Sequence, residues 1–292
     1  MKYILTTIAA SLILSVHAQQ AKPDVILYGK ISSSDLAAAP YNKWFDKGYK
    51  EYHSNTQTKN RLTPTLTKGI SIEIFLGTWC GDSKREVPRF IKILDEIGFN
   101  MANVKIIALG GSDSLYKQSP QGEEKGKGIY RVPAFIFYRN GLEINRINEY
   151  PALSLEKDFL TIANGEGYTA NYKSFASING WMKDGILLDS NVAPRSLAMQ
   201  LKQLVSNENE LNSLGYLLLK QKFTKEALAV FRINANLYPE SANILSSLGE
   251  GYLKNGNNEK AVQALENSLA LAKDPAIIKD ILPLLYQAKG IK

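Results

Sequence analysis

The sequence is poor in the residues that carry sulfur and metal chemistry, with one cysteine, Cys80, and two histidines among 292 residues. A lone thiol cannot close an intramolecular disulfide. It is a buried inert group, an intermolecular link or a reactive one. Metal binding fails on inventory, because beyond the apolar N-terminus only Cys80 and His53 offer soft or borderline ligands. No metal and no cofactor is expected, and the same shortage argues against a Cys–His protease. Phosphate and nucleotide chemistry find no P-loop and no glycine-rich fingerprint after a strand. Positive charge exceeds negative by 7, but the lysines are scattered and do not interleave with aromatics, so no nucleic-acid surface is expected.

Long hydrophobic runs are also missing. The N-terminal one, from Tyr3 to Val16, falls short of the roughly 20 residues a membrane span needs. Lys2 precedes it, and Val16 and Ala18 place small residues at the −3 and −1 positions of a cleavage site. Residues 1–18 are therefore expected to be a secretory signal, giving an exported chain, periplasmic or extracellular. No cysteine follows the cleavage point, which argues against a lipid anchor, and no span is expected in the mature chain.

Cys80 lies in Thr78-Trp79-Cys80-Gly81-Asp82-Ser83. An apolar, β-branched run (Ile70, Ile72, Ile74, Phe75, Leu76) enters this stretch, and a helical pattern (Val87, Phe90, Ile91, Ile93, Leu94) leaves it. A strand thus delivers the sulfur to the first turn of a helix, where unpaired N–H groups and the positive dipole end favour a thiolate. Asp82 opposes that field, and Lys84 and Arg85 offset part of the opposition. A dithiol oxidoreductase needs a second sulfur three residues on to attack its own mixed disulfide. Here that position is Ser83, and a hydroxyl is too poor a nucleophile to replace it.

Elsewhere, 25–31 reads as a strand, and Ser32 to Asp35 caps a helix through Leu36 and Tyr52 that Pro40 and Gly48 interrupt. Residues 54–68 read as irregular. The helix after Cys80 runs to about Ile97, with Pro88 expected to kink it. Residues 104–109 form a buried strand, 110–128 a long polar loop, and 133–138 with 142–147 a hairpin around Asn140-Gly141. A helix over 153–162 closes the unit.

These residues carry a resemblance. A strand, Trp79-Cys80-Gly81, a helix, a strand, then Val132-Pro133 and a glycine-containing hairpin resemble the thioredoxin family over roughly residues 24–164. Pro133 on its own could simply start a strand. The resemblance implies a cis bond before it and a position facing Cys80, leaving the Val132 backbone to pair with an extended peptide. It implies catalytic roles for Cys80, Pro133 and the position of Ser83, with Trp79, Gly81, Asp82 and Val132 contacting the substrate. Three positions depart from the family: Ser83 replaces the resolving cysteine, Asp82 the usual proline, and Ile74 the buried acid that assists resolution.

Residues 165–192 turn to Gly, Asn, Ser and Tyr, with Trp181 and Met182 as anchors, and read as a linker that docks in part. Beyond it, Gly215 and Gly249 lie 34 residues apart, as do Ala227 and Ala261, Phe231 and Leu265, and Leu214 and Leu248. This period resembles the tetratricopeptide repeat, with repeats over 208–241 and 242–275. Amphipathic helices at 194–205 and 276–288 flank them. By family position Asn209, Asn212, Tyr216, Asn243 and Glu250 line the concave, partner-binding face.

The expected fold is an α/β thioredoxin-like domain, a central mixed sheet with flanking helices over 19–164, followed by an all-α tetratricopeptide-repeat array over 193–292. Expected partners are proteins or peptides, met at the Cys80/Pro133 surface and along the repeat groove. The expected function is capture of a partner as a mixed disulfide on Cys80. The alternative is a monothiol exchange, isomerase or deglutathionylation enzyme resolved by an external thiol.

Overall fold

The structure is a computed structural model and describes residues 25–112 and 114–291. The expected export signal, residues 1–18, lies outside the described residues. A mixed sheet and a helical region make up the rest, and among the described residues no helix is long and apolar enough to cross a membrane.

Five strands form the sheet: β1 (Gly29–Ile31), β2 (Ile70–Leu76), β3 (Val104–Ala108), β4 (Ala134–Arg139) and β5 (Leu142–Asn148), in the order β1-β3-β2-β4-β5. Strands β2 and β3 run parallel, and the remaining pairs are antiparallel. Period-two alternation divides the side chains between the two faces. Ile70, Ile72, Ile74, Ile106, Phe135 and Phe137 enter one core with the apolar stripes of two helices, α4 (Gly81–Glu96) and α5 (Leu155–Asn164). Phe75, Ile107, Ala134 and Ile136 enter another, closed by Ile129 and Val132 from the loop between β3 and β4. A loop therefore covers the second face where a crossover helix could have stood.

The hairpin turns as Asn-Gly predicts, with Asn140 at φ 53° and Gly141 at φ 79°. Strand β1 is shorter than the expected 25–31, because Gly29 already pairs with Ala108, the last residue of β3. The expected helix over 33–52 divides into α1 (Ser33–Ala37) and α2 (Asn42–Glu51), since Pro40 has no N–H to continue the ladder. Residues 54–68 hold a short helix, α3 (Thr56–Lys59), capped by the Asn55 side chain accepting from the Thr58 N–H at 2.9 Å. Helix α4 runs through Pro88 without a break in its span. A Cβ at Gly48 would stand 2.6 Å from Pro88 Cγ, so the glycine is what lets α2 close on α4.

The stretch 165–192 is largely folded. It contains α6 (Lys173–Lys183), and Phe175, Ile178 and Leu187 are buried, while Trp181 and Met182 are only half-buried. Phe175, Ile178 and Met182 recur at helical spacing, enough apolar surface to dock a helix despite the polar composition. Six helices follow: α7 (Pro194–Leu201), α8 (Glu208–Lys220), α9 (Thr224–Leu237), α10 (Ala242–Lys254), α11 (Asn258–Leu271) and α12 (Pro275–Lys289). Gly215 on α8 faces Phe231 on α9, and Gly249 on α10 faces Leu265 on α11; a Cβ at either glycine would lie within 2.5 Å of the facing side chain. The same close approach thus repeats in successive helix pairs.

Candidate functional site

Cys80 is the N-cap residue of α4, at φ −90° and ψ 128°, and is a half-buried free thiol. Its Sγ donates to the Val132 carbonyl at 3.2 Å, and the Val132–Pro133 bond that follows is cis. Strand β4 begins at Ala134, so the Val132 backbone lies outside the sheet ladder beside the sulfur. Ionisation of the thiol removes the proton in this hydrogen bond. A thiolate at this position then relies on the amide dipoles of α4 and on nearby cations.

The residues around the sulfur divide between scaffold and surface. Ser83 is fully buried, and its Oγ accepts from the Gly77 N–H at 3.2 Å, which braces the strand-to-helix turn. Thr78 Oγ1 accepts from the Leu27 N–H at 3.2 Å. Gly81 is exposed. Asp82 is engaged by Arg85 at 2.7 Å, which moderates its effect on the helix end. The Trp79 indole donates to the Leu109 carbonyl at 3.0 Å and packs on Tyr116, with ring centroids 5.2 Å apart. A Cβ at Gly77 or at Gly111 would come within 2.5 Å of that indole. Two glycines therefore form the flat bed that fixes the tryptophan beside Cys80.

A second group of residues carries no motif. Lys117, from the loop between β3 and β4, is 7% exposed and donates to the Tyr130 carbonyl at 2.7 Å. Its ammonium lies 5.1 Å from the Tyr116 ring centre, and that of Lys220 on α8 lies 4.7 Å from the same ring. Arg131, just before Val132, pairs with Glu149 at 3.7 Å, stacks on Tyr172 at 4.9 Å and donates to Ser213 Oγ on α8 at 2.8 Å. The Tyr172 hydroxyl in turn donates to Glu149. Helix α8 thus reaches the segment that leads into Pro133.

Burial pushes the Lys117 ammonium down from 10.5 to about 8, and Arg131 and Lys220 add to the fall, with Cys80 and Glu149 opposing it. In the unfolded chain this lysine keeps its ordinary value. Between about pH 8 and 10.5 the unfolded state therefore binds the extra proton, and stability contributed by this group rises with pH. Below pH 8 both states are charged and the burial penalty is fully present. Lys117→Met is expected to change relative stability with pH by about 3 kcal/mol across that window. The variant should be most favoured near pH 7 and lose that advantage as the pH rises. Denaturant titrations of both proteins over the window measure it, and a flat difference would refute the buried charge.

The expected repeat-face residues do not form one site. Tyr216 and Glu250 meet: the Tyr216 hydroxyl lies 3.1 Å from both Glu250 Oε2 and Ser247 Oγ. Burial, with Glu250 and Asp280 nearby, pushes this tyrosine up to about 12. The contact links α8 to α10 within the array. Asn212 is buried with its Oδ1 unpaired, Asn209 is exposed, and Asn243 is half-buried, its carbonyl accepting from Ser247 Oγ at 3.0 Å. A cavity of about 670 Å³ lies between β5 and α6, lined by Arg146, Tyr168, Tyr172, Phe175 and Asn179, and Cys80 is not part of it. Comparison of the chain with models of known protein families and with curated proteins finds no match.

Proposed function

We propose that this is an exported, thioredoxin-like monothiol protein that captures partners as mixed disulfides on Cys80, joined to a tetratricopeptide-type array for protein interaction. The observation that carries the reading is the Cys80 sulfur, held at the start of α4 at 3.2 Å from the carbonyl before cis-Pro133. The sheet order and the repeated Gly215/Phe231 and Gly249/Leu265 approaches support the two family resemblances. An extended segment of a partner would lie along the Val132 backbone with its disulfide over the sulfur.

In the reaction, the Cys80 thiolate attacks one sulfur of a partner disulfide. A new S–S bond forms at Cys80, the old one breaks, and the departing thiolate takes up a proton from water. No second thiol exists to reverse the capture from within, so the adduct persists until an external thiol attacks it. Intact-mass measurement after exposure to a small disulfide tests this. One equivalent should add to the protein, remain after the reagent is removed, leave on addition of a reducing thiol, and be absent from Cys80→Ser. A native Cys80 that takes up nothing, or an adduct that leaves unaided, would reject the reading.

A further inference from the structure

A cavity of about 490 Å³ opens between the β3–β4 loop, α6 and α8, and Cys80 is not among the residues that line it. Its walls are largely apolar: Ile129 and Tyr130 from the loop, Met182 from α6, Leu218 from α8, and Phe223 just beyond α8. The surrounding contacts fix these walls. The Tyr130 ring meets Phe175 edge to face at 5.1 Å. A Cβ at Gly128 would stand 2.8 Å from Asn179 Cγ, so the loop backbone lies directly on α6. Phe223 keeps 44% of its surface exposed, which carries apolar surface out to solvent.

One carboxylate lines this space. Glu124 is 7% exposed, and its Oε2 accepts from the Ser119 N–H at 3.1 Å and from the Ser119 hydroxyl. Among the described residues, its Oε1 has no hydrogen-bond partner and neither oxygen has an ion-pair partner. Oε1 is not sealed inside protein, so it is open to the cavity. A charge this far from water is costly unless a cation meets it. Apolar walls with one well-placed polar group, at this volume, are how small-molecule sites are built. We propose that the cavity binds a small organic cation, an ammonium group on an aromatic-sized apolar body. The ammonium donates to Glu124 Oε1, and the body packs against Tyr130, Met182, Leu218 and Phe223. A neutral donor would fill the hydrogen bond but leave the charge unmatched, and an anion would meet Glu124 as a like charge. The two lysines on the lining, Lys125 and Lys183, are exposed, so their repulsion acts through solvent and is screened by salt. The site does not depend on the reactivity of Cys80.

Three indole probes of similar size test this by calorimetric titration of the full chain: tryptamine, which is cationic, tryptophol, which is neutral, and indole-3-propionate, which is anionic. Tryptamine should bind about tenfold to a hundredfold more tightly than tryptophol, and indole-3-propionate should bind most weakly. Glu124→Gln keeps an acceptor for Ser119 and should bring tryptamine down to the affinity of tryptophol. Unchanged tryptophol binding then reports an intact cavity. Phe223→Ser should weaken all three probes by a similar factor and leave their ranking alone. Replacing Lys125 and Lys183 with glutamine should raise the preference for tryptamine several-fold at low salt, but not near 1 M, where screening acts within about 3 Å. Cys80→Ser should bind all three as the native chain does. The inference is overturned if tryptamine does not bind at about 1 mM, if tryptophol binds as tightly, or if the preference for the amine survives Glu124→Gln. Should Glu124→Gln lose tryptophol as well, the ranking of the three probes on the native chain decides.

Discussion

Ser83→Cys is expected to turn a protein that stalls into one that releases its captured partner. Residue 83 lies on the same first turn of α4 as Cys80, a spacing that a disulfide can bridge. Once a partner is bound, the introduced thiolate would attack the Cys80 sulfur and close an internal disulfide, and the partner would leave as a thiol. The bound mass should then disappear without added reductant, and the protein should end two hydrogens lighter than at the start. The substitution removes the hydroxyl that accepts from Gly77 at 3.2 Å. Loss of one such hydrogen bond costs about 1 kcal/mol, too little to unfold a typical domain. An adduct that persists on the folded variant would show that the missing sulfur is not what stops turnover.

Phe90→Ala should be the most damaging truncation in the sheet core. The ring is fully buried on α4, 4.7 Å from Phe135 and 5.9 Å from both Phe137 and Phe159, centre to centre. Removing it deletes contacts to β4 and α5 together and leaves a hole that rigid strands cannot close. Substitutions of this type cost about 3–5 kcal/mol, a large share of the 5–15 kcal/mol that holds a domain folded. The midpoint of urea unfolding, with its slope unchanged, measures the loss. A loss under about 1 kcal/mol would mean that α4 does not pack on the sheet through this residue.

What could be read from the sequence was local. The run from Ile70 to Leu76, the helix after Cys80 and the Asn140-Gly141 turn each announce themselves through period or turn chemistry within a few residues. So do the 34-residue spacings of Gly215 and Gly249, because each glycine answers a bulky residue in the following helix. Contacts that depend on how distant segments meet left no such trace. Lys117 stands in a loop without periodicity, and nothing nearby in sequence marks it as buried. Arg131 and Ser213 are 82 residues apart. Helix α6 was hidden by its polar neighbours, although Phe175 and Ile178 carry the helical spacing. The repeat period assigns Tyr216 and Glu250 to one face, but it could not reveal that they bond to each other.

Tyr130 belongs to the loop between β3 and β4, yet its ring lies 5.1 Å from Phe175 and is buried with the leucines of α8. Severing the chain at 165 or at 192 would therefore split a shared interior instead of trimming a tether. The two halves are not interchangeable cassettes. A foreign helical array grafted at that junction would have to bring its own socket for an aromatic ring and its own hydroxyl for a guanidinium before the sulfur could sit where it does now.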